Sequence, residues 1–359
     1  MGFKGFLGAI ITVILMVFHV DCIANPKGTV NILTWYAYLR SPEIISAVKD
    51  QCGVEIFYDE YYSVSECLSR ITTIRDFYYY DIVIFPSDIY ELIKEKLNIK
   101  NSDLNKVVKD YSSRIKNHYL LHSYPSNVVY FTLTLYGFIW NPAVITLSTS
   151  DSVSSMFEKA KDNIVILVNS FTGVWNLIDV NQKLPCDLLA LAFGKIIQSA
   201  DIYITNGYNK LYDKDRFAFA FQRSGEAVFT IKASKNKSLS FLVHPDYSYI
   251  SPDLMAELNS RSETRCVARV LAHKKVLDII QKKTYYLSPY GTYKSVNDPV
   301  FQRVYKWLFD NADKVRWLDS FFAKNASEYN ELRNMWDKIH LLPRVLKNQS
   351  IVLRHESDS

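Results

Sequence analysis

The chain has 359 residues and a net charge of +5, with nearly half of its residues apolar and about a fifth charged. That is material for one large or two medium domains with a substantial core. The mild charge, with no dense Lys/Arg block, excludes an electrostatic footprint for nucleic acid, and neither GxGxxG nor GxxxxGK followed by Ser or Thr occurs, which excludes those phosphate cradles; the residues in excess are Tyr (25) and Phe (20), while Gly (11) is scarce.

The N-terminus reads as an export signal. Lys4 supplies a positive n-region, Phe6 to Val20 an apolar h-region, and Cys22-Ile23-Ala24 the small residues before a cleavage site. The run of about 15 apolar residues is short for the ~20 that a spanning helix needs. Asp21 stands where a lipoprotein signal wants a small residue, which argues against attachment through Cys22. Cleavage after residue 24 would leave Cys52, Cys67, Cys186 and Cys266. Their spacing matches no zinc pattern. Cys52 and Cys67 are close enough in sequence to pair, and separate buried thiols are the reading favoured here.

Beyond residue 24 strands and helices alternate. Val30 to Leu33 reads as a strand, and "SPE" at Ser41-Pro42-Glu43 starts a helix, with Ser as cap and Pro at its first position. Ile44, Ile45 and Val48 form that helix's apolar stripe, and Cys52-Gly53 ends it. Val54, Ile56 and Tyr58 alternate as a second strand. "DIVIF" (Asp81 to Phe85) and "NIVILV" (Asn163 to Val168) are apolar runs of the kind buried in parallel sheets. The pattern predicts a helix after Pro86-Ser87-Asp88, a helix over Leu188 to Ile197, a strand over "GEAVFTI" (Gly225 to Ile231) and a helix over Val267 to Lys283. Phe301 to Leu308 and Tyr329 to His340 read as amphipathic helices, followed from Asn348 by a polar tail. Repeated βα units imply an α/β fold.

Catalytic patterns are missing. His118 and His122 are spaced for one helix face, but the zinc-protease motif needs Glu directly after the first His, and Tyr119 stands there. A solvated helix face is the simpler reading. There is no GxSxG elbow, so an exported hydrolase is a minor alternative. The tyrosines carry the remaining signal: Tyr61-Tyr62, Tyr78-Tyr79-Tyr80, Tyr247, Tyr249, Tyr285-Tyr286, Tyr290 and Tyr293 fall near expected strand ends, where ligands bind in open α/β sheets. Such rings either wall a cleft for a stacking or cationic ligand or pack at sheet edges. Trp35, Tyr36 and Tyr38 at the tip of the first strand are the better candidates for a cleft.

In order along the chain, "ILTWYAYLRSPEII", "GVEIFYDEYYS", "YDIVIFPSDIYELIKEKLN", "YGFIWN", "GEAVFTI" and "YYLSPYG" resemble the periplasmic spermidine/putrescine-binding receptors of ABC transporters. The resemblance is remote, covers most of the chain after residue 24, and rests on the order of individually weak motifs. It implies a type II-like, two-lobed α/β fold in which each lobe is a mixed sheet flanked by helices and crossing strands join the two. Residues 25–140 plus 251–294 would form lobe one, 141–250 plus 295–347 lobe two, and 348–359 a flexible tail. It further implies a ligand site of Trp35, Tyr36, Tyr38, Ser87, Ser170, Asp253 and Tyr286, closing like a hinged trap on a polyamine or other small cation. The implied protein is a periplasmic monomer without enzymatic activity or cofactor, with an ABC permease as its partner and no nucleic acid.

Three departures stand out. The first loop has Ala37 where the receptors usually carry an acid, Asn169 to Gly173 replaces an acidic stretch, and no Trp occurs at Lys232 to Ser234. Of four expected carboxylates Asp253 is the one retained, with Asp59, Glu60 and Asp246 as possible substitutes. A buried ammonium without a paired charge costs several kcal/mol, which leaves two alternatives open: a ferric receptor using phenolates such as Tyr285-Tyr286 or Tyr79-Tyr80, or a degenerate receptor without a transport role.

Overall fold

A computed structural model describes residues 28–73, 79–97, 99, 101–178, 194, 200–207, 209–292, 296–310, 315–318, 327–331, 333–334 and 336–337. The export segment, Cys22, Cys186, Tyr78, Tyr293, the tail and all but position 194 of the helix expected over Leu188 to Ile197 lie outside those residues. Among the described residues no helix is long and apolar enough to cross a membrane.

The first βα units form where the apolar patterning places them. Strand β1 (Thr29–Trp35) leads to α1 (Pro42–Cys52), β2 (Glu55–Tyr61), α2 (Val64–Thr72) and β3 (Ile82–Pro86). α1 starts with Pro42 and ends on Gly53 at φ 66°, the left-handed turn that glycine makes without strain. The expected side-chain cap differs: the Ser41 hydroxyl donates to the Glu43 carboxylate and accepts no helix N–H. β3 is buried throughout, whereas β2 alternates exposed and half-buried residues. That contrast places β3 inside the sheet and β2 at its edge. After β3, the Ser87–Ile89 turn opens the short helix α3 (Tyr90–Ile93), and α4 (Ser113–Leu121) precedes the longest strand, β4 (Val128–Trp140).

The other side is built by α5 (Val153–Lys159), β5 (Ile164–Leu167), α6 (Phe171–Ile178), β6 (Asp201–Ile204), β7 (Phe217–Arg223), α7 (Ser224–Ala233) and β8 (Ser240–Leu242). β9 (Tyr249–Glu257), α8 (Ser262–Leu271), α9 (Lys274–Thr284), α10 (Pro299–Asp310) and β10 (Arg316–Trp317) follow. The strand order is β2-β1-β3-β9-β4-β7-β5-β6, with β10 on β9 and β8 on β4. β1, β2 and β3 are parallel, as are β5, β6 and β7. β4 and β9 join the two groups. β4 pairs antiparallel with β9 from Val128 to Tyr136, and with β7 from Tyr136 to Trp140.

Several expectations are corrected. "GEAVFTI" is not a strand but lies in α7. The sheet position is taken by the preceding "FAFAFQR" of β7, and burial of Ala227, Val228, Thr230 and Ile231 follows helical spacing. The helix expected over Val267 to Lys283 is two helices, α8 and α9, because His273 turns extended and its ring caps the Lys275 N–H. Cys52 pairs with Cys266 across 214 residues, tying the end of α1 to α8, while Cys67 is a buried free thiol. His118 is not on a solvated face: it stacks on Trp317 at 3.7 Å and bonds the Tyr130 hydroxyl at 3.0 Å. The last expected helix, Tyr329 to His340, is helical at 327–331, 333–334 and 336–337.

Candidate functional site

A cavity of about 320 Å³ opens where the two parallel groups of strands meet β4 and β9. It lies at the C-terminal ends of β1, β3 and β5, the ends at which α/β sheets present loops to ligands, and its size suits a small organic molecule. Trp35, the last residue of β1, packs on Tyr61 with ring centroids 4.4 Å apart. Tyr36 is exposed, stacks on Tyr62 at 4.8 Å, and is covered by the Arg40 guanidinium at 4.0 Å. Ala37 adopts φ 71° and donates its N–H to Glu60 at 2.8 Å. The loop position where a carboxylate is expected therefore offers only backbone.

Asp253 is held from three sides. Trp35 Nε1 donates to Oδ1 at 3.1 Å, while the Tyr38 and Thr132 hydroxyls donate to Oδ2 at 2.5 and 2.8 Å. Burial raises the Asp253 pKa, against the pull of those donors. Its accepting capacity is thus largely used within the protein, and its principal work is to fix Trp35 and Tyr38.

The other charged groups come from the opposite wall. Arg223, at the end of β7, donates from Nε to the Tyr136 hydroxyl at 3.0 Å and from one terminal nitrogen to Glu226 Oε1 at 3.2 Å. Its guanidinium lies 5.7 Å from the Trp35 ring and 5.9 Å from that of Tyr136. Glu226, in the first turn of α7, accepts the Tyr286 hydroxyl on its second oxygen at 2.7 Å. Asp88 is buried in the turn after β3, and its Oδ1 has no hydrogen-bond partner among the described residues. Burial pushes the Asp88 carboxyl up to about 7; the Thr172 hydroxyl pulls it down, nearby Asp253 pushes it further up and Arg223 draws it back.

Of the residues expected at a site, Trp35, Tyr36, Tyr38, Ser170, Asp253 and Tyr286 line this one cavity. Ser87 does not: its hydroxyl donates to the Leu318 carbonyl at 3.1 Å. The Ser170 hydroxyl bonds Thr172 and the Gly173 N–H. Asp59, Glu60 and Asp246 do not line the cavity. Asp253, the retained one of the four expected carboxylates, lines the cavity, and two carboxylates at other positions, Asp88 and Glu226, line it beside Asp253. These two and Arg223 are the residues that sequence reasoning missed. Their one legible signal is position, since each ends a strand or lies within three residues of its C-terminal end. Most of the other tyrosines serve packing: Tyr61 donates to the Ile84 carbonyl and Tyr290 to that of Ala272.

Tyr286 reaches the cavity because Gly225 leaves room. A Cβ on Gly225 would meet the Thr284 carbonyl oxygen at 2.5 Å and Tyr286 Cε1 at 2.6 Å. Gly225→Ala is expected to cost about 1–3 kcal/mol through overpacking, read as a lower denaturant midpoint at unchanged m-value.

Asp88 sets a pH dependence. Its folded pKa of about 7 lies above its ordinary value of 3.8, so its stabilising contribution is full below pH 3.8. It is lost as pH rises towards 7, where the buried carboxylate is charged. Asp88→Asn is expected to raise stability by about 4 kcal/mol at pH 8 and to change it little near pH 4. Equal effects at the two pH values would contradict this.

No protein-family model matches the chain, and no curated protein matches it. Solved structures do. The spermidine/putrescine substrate-binding protein PotD of Streptococcus pneumoniae is 14% identical, with TM-score 0.65, covering 88% of this chain and 100% of its own. The TpPotD lipoprotein of Treponema pallidum is 14% identical, with TM-score 0.66 and coverages of 87% and 99%. The binding protein MotA of Agrobacterium tumefaciens, solved with glucopine, is 10% identical, with TM-score 0.61 and coverages of 87% and 100%. The resemblance read from ordered motifs is thus matched by structural likeness to the same spermidine/putrescine-binding proteins, and the chain has the two-lobed α/β fold of periplasmic solute-binding proteins.

Proposed function

We propose that this protein is an exported solute-binding receptor that delivers a small organic solute to an ABC permease, binding it between lobes that close about β4 and β9. The lobe boundaries proposed are those given above, 25–140 plus 251–294 and 141–250 plus 295–347. The observation that carries the reading is the convergence of Trp35 and Asp253 from one side and Arg223 and Glu226 from the other on one cavity beside the crossing strands. Aromatic walls with a few placed polar groups are what a small-molecule site needs. The Cys52–Cys266 disulfide fits an oxidising compartment. A receptor of this kind needs no catalytic group.

A polyamine is the ligand that the resemblance implies; Asp88, rather than Ala37 or Ser170, would face its ammonium groups, since Glu226 already accepts from Arg223 and Tyr286. The ferric alternative has less support: the Tyr285 hydroxyl accepts from Lys232, and that of Tyr286 is given to Glu226 in a setting where burial raises its pKa. Thermal-shift screening of spermidine, putrescine and a broad library of small metabolites tests the proposal. A true ligand at a hundred times its Kd adds about 2.7 kcal/mol and raises the midpoint measurably. A midpoint that no solute raises counts against a receptor role.

A further inference from the structure

The cavity wall carries three carboxylates, Asp88, Glu226 and Asp253, and two cations, Arg223 and Lys283. The two fixed carboxylates are engaged: Asp253 accepts three protein donors, and Glu226 accepts Arg223 and Tyr286. Two groups lining the cavity are left with unused hydrogen-bonding capacity. A guanidinium has five N–H donors, and Arg223 uses Nε and one terminal nitrogen, leaving its other terminal nitrogen without a protein acceptor among the described residues. The buried Oδ1 of Asp88 likewise has no donor. A buried carboxylate oxygen without a donor costs free energy, which a ligand ammonium would offset. The guanidinium fork matches a carboxylate, and the group lies 5.7 Å from the Trp35 ring and 5.9 Å from that of Tyr136.

We propose that the cleft selects a small zwitterion of the amino-acid class, its carboxylate on the free face of Arg223 and its ammonium on Asp88 Oδ1. This rests on the receptor reading and departs from a polyamine ligand. A di- or tricationic chain filling the same cavity would set an ammonium near Arg223, and like charges in a water-poor site repel strongly. The aromatic side chains would then cover the ligand's apolar part.

The test is calorimetric titration of the protein with the common α-amino acids and with ω-amino acids of four to six carbons. Beside each stand its matched amine, matched acid and, for the ω series, matched diamine. The expected result is saturable binding of at least one zwitterion, weakened at least tenfold when either its carboxylate or its ammonium is deleted. Arg223→Lys, which keeps the charge and loses the fork, is expected to weaken the zwitterion at least tenfold. Asp88→Asn provides a second variant that stays folded: it is expected to abolish zwitterion binding while being more stable than the parent at pH 8. Diamines or polyamines binding as well as or better than any zwitterion, or an Arg223→Lys variant with unaltered affinities, would overturn the inference and leave the receptor role standing. Failure of every zwitterion overturns it too, and if no member of the wider library raises the thermal midpoint either, the receptor role falls with it.

Discussion

Asp253→Ala is expected to destabilise the protein by about 3 kcal/mol or more, since it removes a fully buried acceptor from three donors at once. Trp35 Nε1 is left without its partner; the Tyr38 and Thr132 hydroxyls, 2.9 Å apart, can still satisfy each other. The loss therefore concentrates on Trp35, whose ring forms part of the cavity wall. Chains of 150–250 residues shift by about 2–4 °C per kcal/mol and longer ones by less, so with 359 residues thermal unfolding should begin a few degrees earlier. Asp253→Asn keeps the volume and one acceptor for Trp35, so it should cost less. A variant Asp253→Ala as stable as the parent, with binding lost, would instead make Asp253 a ligand group and contradict its role as the anchor of Trp35 and Tyr38.

Breaking the Cys52–Cys266 bridge is the second large effect. It closes a loop of 214 residues, and chain entropy alone sets an upper value of about 5 kcal/mol for a loop of that length. A Cys52→Ser, Cys266→Ser double variant, or the parent with reductant, should lose about 2–5 kcal/mol in denaturant unfolding. The buried Cys67 thiol, its pKa pushed up chiefly by burial, should remain unreactive towards thiol reagents until the protein unfolds. Rapid labelling of Cys67 in the native protein, or a midpoint insensitive to reductant, would contradict this placement of the cysteines.

The alternating units were legible wherever a short apolar run filled an interior strand, as in "DIVIF" and "NIVILV". The centre of the sheet was harder to read, for a physical reason. β9 contains Pro252, which lacks an N–H and ordinarily argues against a central strand. It is accommodated opposite Leu133, next to the register shift between Tyr130 and Thr132 of β4. "FAFAFQR" and "GEAVFTI" are both apolar, and only the sheet decides which one pairs. The disulfide joins cysteines with no local relation.

The site divided in the same way. Trp35, Tyr38, Asp253 and Tyr286 could be placed through ordered motifs, and they do share one cavity. Ser87, from the same motifs, bonds Leu318 because the turn after β3 aims the next residue, Asp88, at the cavity. Arg223 gave no signal beyond its place at a strand end, since a lone basic residue after an apolar run looks like any solvated strand end. Its meaning comes from Trp35, Tyr136 and Glu226, brought to it across the sheet.

A crystal structure of the protein with the solute identified by thermal shift should show ligand density inside the cavity, against Trp35 and Tyr286 and within hydrogen-bond distance of Arg223 or Asp88. A ligand bound elsewhere on the molecule, with the cavity holding only water, would contradict that placement.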